Sequence, residues 1–527
     1  MPNPALLSAM PVIGLLALSA LAVACLAAAE GELDPSFDGN GVVEWRAEAG
    51  NGMDETCLDV DVQGRPVLAG ITIGSRRSQK NGLLVRFHHD GSRDSGFGDD
   101  GEVFIDEGGA LEVNDVTHQD DGRILVLGTK DLGIGFDAVF IARYLTDGSP
   151  DTSFGDDGRR IFNLGSTKRN YGKALTVDAD GRICLALGHY HSRRSFTAVA
   201  RLDQDGSLDG SFGDGDGWME VQRDGYRFQY PQDIIVDARD GIVVLTKFNV
   251  YEGTARSLEV FRLSDTGAVD SAFGDQGYCT WIAGDGRSCE MSSIAELADG
   301  GYLFGGHCSG GDLDANEIGL WRVTAAGALV DSFGADGYAS IPYQPHAIAG
   351  NLTFADFLVQ DEDHLLMVGD HDIDSGLAGS RFRAQSSWVG RVRLADGGID
   401  SSFGENGFAL LGALTTTNDI GAEDLTTDGD TRSLQDLGGL RPVGDGRHVY
   451  VGGYGFVDGE SRGGVARVLV ANDVERPRRQ IAIDVDGVEG VGANIDEGAF
   501  QDVPTVFDSQ PDRDHVIGFE QANRVNG

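Results

Sequence analysis

Apolar residues fall along this chain in short runs of four to six, rich in β-branched types and bounded by Gly or Asp. Each run suits a strand, and none reaches helical length. The stretch from Phe212 to Asp270 shows the pattern. After Ser211-Phe212-Gly213 comes Trp218-Met219-Glu220-Val221, strand A. Asp233-Ile234-Ile235-Val236-Asp237, strand B, leads through a turn at Arg239-Asp240-Gly241 into Ile242-Val243-Val244-Leu245, strand C. Leu258 to Leu263 is strand D. The B–C turns carry Asp-Gly at Asp121-Gly122, Asp180-Gly181 and Asp445-Gly446, the positive-φ chemistry of a tight hairpin. Strand C is continuously apolar, as in Ile124-Leu125-Val126-Leu127, so both its faces are expected to be covered.

The pattern repeats about every 60 residues, marked by Asp-x-Ser-Phe-Gly-x-x-Gly or a close variant, with its Phe at Phe37, Phe97, Phe154, Phe212, Phe273, Phe333 and Phe403. A fixed period of this length means stacked or ring-arranged copies of one unit. The expected fold is all-β, a seven-bladed β-propeller of four-stranded antiparallel blades over residues 30–470. Each Phe should wedge between neighbouring blades. Strand D carries an Arg in every copy, Arg86, Arg143, Arg201, Arg262, Arg322, Arg393 and Arg467, and the Arg is expected to pair with the repeated Asp. The segment between D and the next A, such as Asp205 to Asp209, reads as the crossing from blade to blade. In the sixth copy the Asp comes one place late, at Asp331.

Leu208-Asp209-Gly210-Ser211-Phe212-Gly213, with an Asp-Gly-Arg-Ile-Leu-Val-x-Gly run, resembles the bacterial delta-60 repeat, and the resemblance spans residues 33 to about 470. It implies propeller-like blades in an exported bacterial protein. It implies no common activity and supplies no catalytic residues.

Composition adds turns and a compartment. The 78 Gly residues are about twice the usual share, which suits many tight turns. A formal net charge of −43 repels polyanions and offers no basic footprint for nucleic acid. Residues 1–29 read as a secretory signal peptide: Pro11 to Ala29 is almost wholly apolar and ends in Ala27-Ala28-Ala29. Leu21-Ala22-Val23-Ala24-Cys25 also resembles a lipobox, with Cys25 acylated, and an uncleaved anchor is the third reading. All three place the chain in the periplasm, at the cell envelope or outside the cell. Beyond Cys25 there are five cysteines, of which Cys289 and Cys308 flank the turn at Asp299-Gly300 and are a candidate disulfide. Residues 471–527 read as an acidic, partly ordered tail. Its Asp484-Val485-Asp486-Gly487 lacks the later positions of a calcium loop.

Function should concentrate in the variable A–B and C–D connections on one end of the ring. The longest are Asp370–Trp388 and Leu410–Leu434, and the shorter Arg223–Tyr230 is aromatic and basic. After strand C the copies place Ile71, Thr129, His189, Lys247, His307, Asp370 and Gly453. His189, Lys247, His307 and Asp370, with His371 nearby, are therefore the ligand-binding candidates, against a plain reading as polar loop starts. No metal site is assigned; the acidic loops (Asp99, Asp100, Asp156, Asp157, Asp214, Asp216) admit calcium, but the sixth and seventh copies read Ala335-Asp336 and Glu405-Asn406. Gly459-Glu460-Ser461-Arg462-Gly463 matches a nucleophile elbow outside strand-to-helix context. Gly133 to Ala138 resembles a dinucleotide loop but precedes a strand. Asn351-Leu352-Thr353 is a glycosylation sequon. The expectation is a monomeric, non-enzymatic exported scaffold that binds a glycan, peptide or protein. The alternative is a propeller hydrolase or lyase acting on a polymer, with polar residues near the axis.

Overall fold

The computed structural model describes residues 30–470 without 46–51, 74–79, 134, 166–168, 192–193, 222–225, 251–255, 282–286, 311–316, 342–349, 375–382, 413–433, 443–446 and 458–459. The leader with Cys25, the acidic tail and most of the variable connections lie outside the described residues. The chain separates into Met1–Asn472 and Asp473–Gly527, and every described strand belongs to the first unit.

All regular structure among the described residues is β. β1 (Val42–Trp45) stands before the first full set, β2 (Gly52–Val60), β3 (Pro66–Ile73), β4 (Lys80–Arg86) and β5 (Glu102–Ile105). The second set is β6 (Leu111–His118), β7 (Ile124–Gly133), β8 (Phe136–Tyr144) and β9 (Arg159–Phe162). The third is β10 (Arg169–Val177), β11 (Ile183–His191), β12 (Arg194–Leu202) and β13 (Trp218–Val221). The fourth is β14 (Tyr226–Val236), β15 (Ile242–Val250), β16 (Arg256–Leu263) and β17 (Tyr278–Trp281). The fifth is β18 (Arg287–Glu296), β19 (Tyr302–Gly310), β20 (Glu317–Val323) and β21 (Tyr338–Ile341). The sixth is β22 (Gly350–Val359), β23 (His364–Asp374), β24 (Arg383–Arg393) and β25 (Phe408–Gly412). The last three strands are β26 (Leu434–Pro442), β27 (His448–Val457) and β28 (Glu460–Leu469).

Within each set the strands pair antiparallel in chain order, and β1 supplies the fourth strand of the last set by pairing with β28. This pairing corrects the expected blade. Trp218–Val221 pairs with β12 of the preceding copy, in the register Thr197↔Val221, and does not join β14. One sequence repeat therefore straddles two sheets. The Asp205–Asp209 segment is a loop inside one sheet: Leu202 bridges Leu208, and Arg201 N–H donates to Gly217 O. The crossing between sheets is the A–B connection. First strands of successive sheets lie side by side as inner strands, β2 with β6 and so on to β22 with β26, and β26 lies beside β2.

The repeated Phe fills the space between neighbouring sheets. Phe97 packs on Ala69 and Leu84 of one sheet and on Val126 and Phe140 of the next. Phe154, Phe212, Phe273, Phe333 and Phe403 fill the following spaces in the same way. Phe37 packs between Leu68 and Leu83 of β3 and β4 and Tyr450 and Val465 of β27 and β28. The residue after each Phe donates its N–H to a turn carbonyl of the next sheet, as Gly98 to Asp147, Gly155 to Asp205, Gly404 to Glu30 and Asp38 to Asp90. That turn needs glycine where it meets the ring. A Cβ on Gly206, which holds a φ of +84°, would stand 2.8 Å from the Phe154 ring.

An Arg clasp completes five of the seams. Arg143 Nε donates to Asp151 Oδ2 at 2.7 Å, its Nη2 to Ser153 Oγ at 3.2 Å and its Nη1 to Gln204 O of the next copy. The guanidinium carbon lies 4.7 Å from the Phe154 ring centroid. Arg201 repeats all three bonds over Phe212, and Arg86 and Arg467 lie likewise over Phe97 and Phe37 and bind Asp94 and Asp34. In the fourth copy Arg262 instead binds Asp237 at 2.7 Å and Asp270 at 2.5 Å, while Arg239 reaches the Ala325 carbonyl. Arg393 does not hold the clasp position expected of it. It closes a turn onto Ile399 O and Asp396, and Arg391 sits over Phe403 and binds Asp400 at 2.7 Å. The loop to Phe403 is one residue longer than the others, which shifts the clasp two places back along the strand.

The late Asp331 of the sixth copy also has a consequence. Val330 occupies the clasp acid's place, Arg322 turns to Asp299 at 2.7 Å, and its Nε is buried without a partner. Val330→Asp is expected to raise stability by about 1.5–3 kcal/mol, the worth of a hydrogen bond to a charged group. A thermal melt of the variant with no upward shift would count against this account of the clasp.

Candidate functional site

Every inner strand carries a β-bulge, and it serves as the ruler for the residues that follow strand C. In β15 the residue opposite the bulge is Thr246, in β19 Gly306 and in β23 Gly369, so Lys247, His307 and Asp370 share one register position. His189 does not. In β11 the residue opposite the bulge is Leu187, and His189 lies two further on. A one-residue slip turns a side chain to the other face of a sheet. His189 therefore faces the second sheet, in phase with Ile183, Leu185 and Leu187, whereas Lys247 is in phase with Val243 and Leu245, which face the fifth.

His189 is buried beside Trp218, at 5.5 Å between ring centroids. Its Nδ1 lies 2.8 Å from Glu220 Oε2, close but without the alignment of a hydrogen bond. Lys247 and His307 are half-buried. At the equivalent position of the second sheet, Thr129 Oγ1 accepts from Gly172 N–H of the third sheet at 3.2 Å, so this position stitches neighbouring sheets. The side chains of Asp370 and His371 lie outside the described residues; their backbones pair with Thr353 and Leu352 on one side and with Ser387 and Ser386 on the other.

The bulge also holds a set of carboxylates that stood in the sequence unremarked. Asp115, Asp233 and Asp356 each accept the N–H of the next residue, Val116, Ile234 and Phe357, at 2.7–2.9 Å. Asp115 and Asp233 use their second oxygen to accept Leu175 N–H and Ile294 N–H of the following sheet. Ser293 Oγ donates to Asp356. The three acids stand on alternate sheets and feel one another's charge. Burial pushes the Asp233 carboxyl up to about 7, aided by the charges of Asp356 and then Asp115 and opposed by the hydrogen bonds from Ile294 and Ile234. The folded value lies above the unfolded one, so this group favours the folded state most below pH 4 and the advantage is lost as pH rises from about 4 to about 7. Asp233→Asn should flatten that part of the profile. Denaturation midpoints at several pH values check it, and an identical slope in both proteins would refute the shift.

A row of aromatic side chains with one Arg lies at the end that carries the A–B and C–D connections. Arg169 opens β10, and its Nε donates to Asp137 Oδ2 at 2.8 Å. Its guanidinium carbon lies 5.7 Å from the Tyr171 ring centroid and 5.8 Å from that of Tyr190. The two tyrosine rings meet edge to face at 5.6 Å. Tyr190 Oη is 3.4 Å from Tyr230 Oη, and Tyr230 stacks on Phe228 at 6.2 Å. Burial, and then a hydrogen bond to Asp137, hold the Tyr171 phenol above its usual range. The backbones join here too: Arg169 pairs with Asp137 and Ser195 with Phe228, parallel contacts that merge the second, third and fourth sheets into one of 12 strands. The four aromatic residues are half-buried and Arg169 is exposed. The aromatic-basic segment Arg223–Tyr230 pointed to part of this row; Arg169, Tyr171 and Tyr190 carried no periodic signal.

Cys289 and Cys308 pair directly across β18 and β19 and form a disulfide, while Cys57, Cys184 and Cys279 are not disulfide-bonded. The second residue of the acidic doublets holds left-handed backbone, with φ of 51° at Asp100, 53° at Asp157 and 55° at Asn406. Among the described residues no group of three or more His, Cys, Asp or Glu side chains is placed to hold a metal ion. Among them, too, no helix is long and apolar enough to cross a membrane. Ser461 sits within β28 opposite Phe456, a strand and not an elbow.

A β-propeller domain of unknown function, DUF5122, matches residues 119–154 and 179–212. No curated protein matches the sequence. Among solved structures the chain is similar to a protein of unknown function from Dyadobacter fermentans, at 11% identity over 66% of this chain and 98% of that one, with a TM-score of 0.38. It is similar to polysaccharide lyase Uly1 at 9% identity over 79% and 90%, with a TM-score of 0.45. It is similar to a Trypanosoma rangeli sialidase at 10% identity over 83% and 59%, with a TM-score of 0.37. The fold is that of a β-propeller.

Proposed function

We propose that this is a seven-bladed propeller, exported from the cytoplasm, that serves as a non-enzymatic binding scaffold. Seven aromatic wedges, one between each pair of neighbouring four-stranded sheets, support closure: an open row of seven sheets would have only six such seams. The apolar leader and the disulfide fit an oxidising compartment.

The observation that carries the binding reading is the difference between the two ends. At the turn end the Phe of every copy is buried in a seam, and in most seams an Arg and an Asp are occupied in a clasp beside it. At the other end a contiguous row from Asp137 to Phe228 stands on three sheets fused by backbone pairing, and Tyr and Arg are the residues that anchor interfaces. The ligand is a glycan, peptide or protein held at that end. The test is to probe the secreted chain against glycan and peptide arrays. Hits should vanish in Tyr190→Ala/Tyr230→Ala and persist in Val62→Ser, a change at an exposed residue of the turn end. Hits lost only in the second variant would overturn the choice of end.

The Asp233 carboxyl favours a second reading, a hydrolase or lyase on a polymer. An acid catalyst must keep its proton at working pH beside an ionised partner, and Asp233 is pushed up to about 7 near Asp356 and Asp115. Polysaccharide cleavage by the native chain, abolished in Asp233→Asn with the fold intact, is the result that would favour it.

A further inference from the structure

We infer that the row at the loop end takes an uncharged glycan chain, its sugar faces lying against Tyr171, Tyr190 and Tyr230 and its hydroxyls on the Arg169–Asp137 pair. The inference rests on the binding reading above.

Three features select this ligand class. The first is the chemistry of the surface. The tyrosines are half-buried, so each offers part of a ring and a hydroxyl, an apolar face with a polar edge. A pyranose has the same make-up, with a C–H face for the ring and equatorial hydroxyls for the rim. Arg169 spends its Nε on Asp137, and its Nη groups have no hydrogen-bond partner among the described residues. The pair thus offers donors and acceptors side by side in fixed geometry, the arrangement two adjacent hydroxyls can match.

The second feature is charge. Asp137 neutralises Arg169 locally, and the whole chain carries −43. That field opposes a polyanionic glycan and leaves an uncharged one unaffected. The third is that, among the described residues, the strand edges at the row are engaged with one another. A peptide that adds to a sheet needs a free edge. Where the row lies, the edge residues of β10 and β14 are already paired, Arg169 with Asp137 and Phe228 with Ser195. The same pairings fix the rings before any ligand arrives, which lowers the ordering cost of binding. The row reaches from β8 to β14 across three sheets, so an extended chain fits it better than a single sugar.

The experiment is calorimetry on the full secreted chain with cellohexaose, xylohexaose, maltohexaose and chitohexaose, and with polygalacturonate as the anionic arm. At least one uncharged hexasaccharide is expected to bind. Tyr190→Ala and Arg169→Ala should each weaken it by roughly tenfold or more, the effect of losing an anchoring Tyr or Arg. Tyr190→Phe should retain most of the affinity. Near-ultraviolet circular dichroism and the melting temperature report whether each variant is folded, and Tyr190→Leu, which keeps apolar bulk without the ring, serves if Tyr190→Ala is not. Binding of polygalacturonate alone, or of none of these glycans, overturns the inference. Peptide binding abolished by the same variants also overturns it, while leaving the binding reading standing. Glycan binding that survives both variants overturns the assignment to this row.

Discussion

Phe37→Ala is expected to destabilise the chain by about 3–5 kcal/mol, as for a fully buried Phe replaced by Ala. Phe37 has no exposed surface, packs edge-on against Tyr450 at 5.6 Å and carries the Arg467 guanidinium 4.9 Å above its ring. The substitution opens the seam where the first sheet meets the last. Phe154→Ala, in a seam between consecutive sheets, should cost a similar amount. Equilibrium unfolding in denaturant measures both. A loss at Phe37 under about 1 kcal/mol, below the range for core truncations, would mean that the closing seam is loose.

Arg143→Ala should cost about 3 kcal/mol, the low end for breaking a buried pair, because Asp151 still keeps the longer contact with Arg123 at 3.3 Å. The acid left behind is Asp151. Burial raises its carboxyl, but hydrogen bonds from Ser153 and the charge of Arg143 outweigh that and hold it at about 2. Its folded value lies below the unfolded one, so its contribution is present above about pH 4 and fades as pH falls towards 2. The gap between native and variant stability should therefore narrow in acid. Arg143→Met/Asp151→Leu should recover much of the loss, since apolar replacements of similar size leave no buried charge. A double variant no more stable than Arg143→Ala would show that the cost lies in lost packing over Phe154.

The sequence made the seams legible because each copy spends the same residues on them. Phe, Arg and Asp recur at nearly fixed distances, and in four seams the structure sets the repeated residues in one clasp. What it hid were matters of pairing. Strand A reads as the first strand of its own copy, yet hydrogen bonds tie Trp218–Val221 to β12, and alternation along a strand says nothing of which neighbour it joins. His189 looked equivalent to Lys247 and His307. The run Ile183–Leu187 is one residue longer than Ile124–Leu127 before its Gly, and that residue turns His189 to the opposite face. By position Arg393 is the expected clasp, but a longer loop gives the role to Arg391. The inner carboxylates had a faint signal, an Asp before the apolar run in Asp115-Val116, Asp233-Ile234 and Asp356-Phe357. The aromatic row had none beyond one segment, since it draws single residues from β8, β10, β11 and β14.

β1 and β28 come from opposite ends of the described chain, yet share one sheet, with Val42 opposite Ala466 and Trp45 opposite Gly463. Bringing together segments so distant in sequence carries the heaviest loop-closure entropy of any contact here, so it belongs late in folding. Six sheets can assemble in order as the polypeptide emerges, while the edge of β28 waits for a partner made at the outset. Until that partner docks, the nascent protein exposes a bare strand edge, and this interval is when it is most open to pairing with another copy of itself.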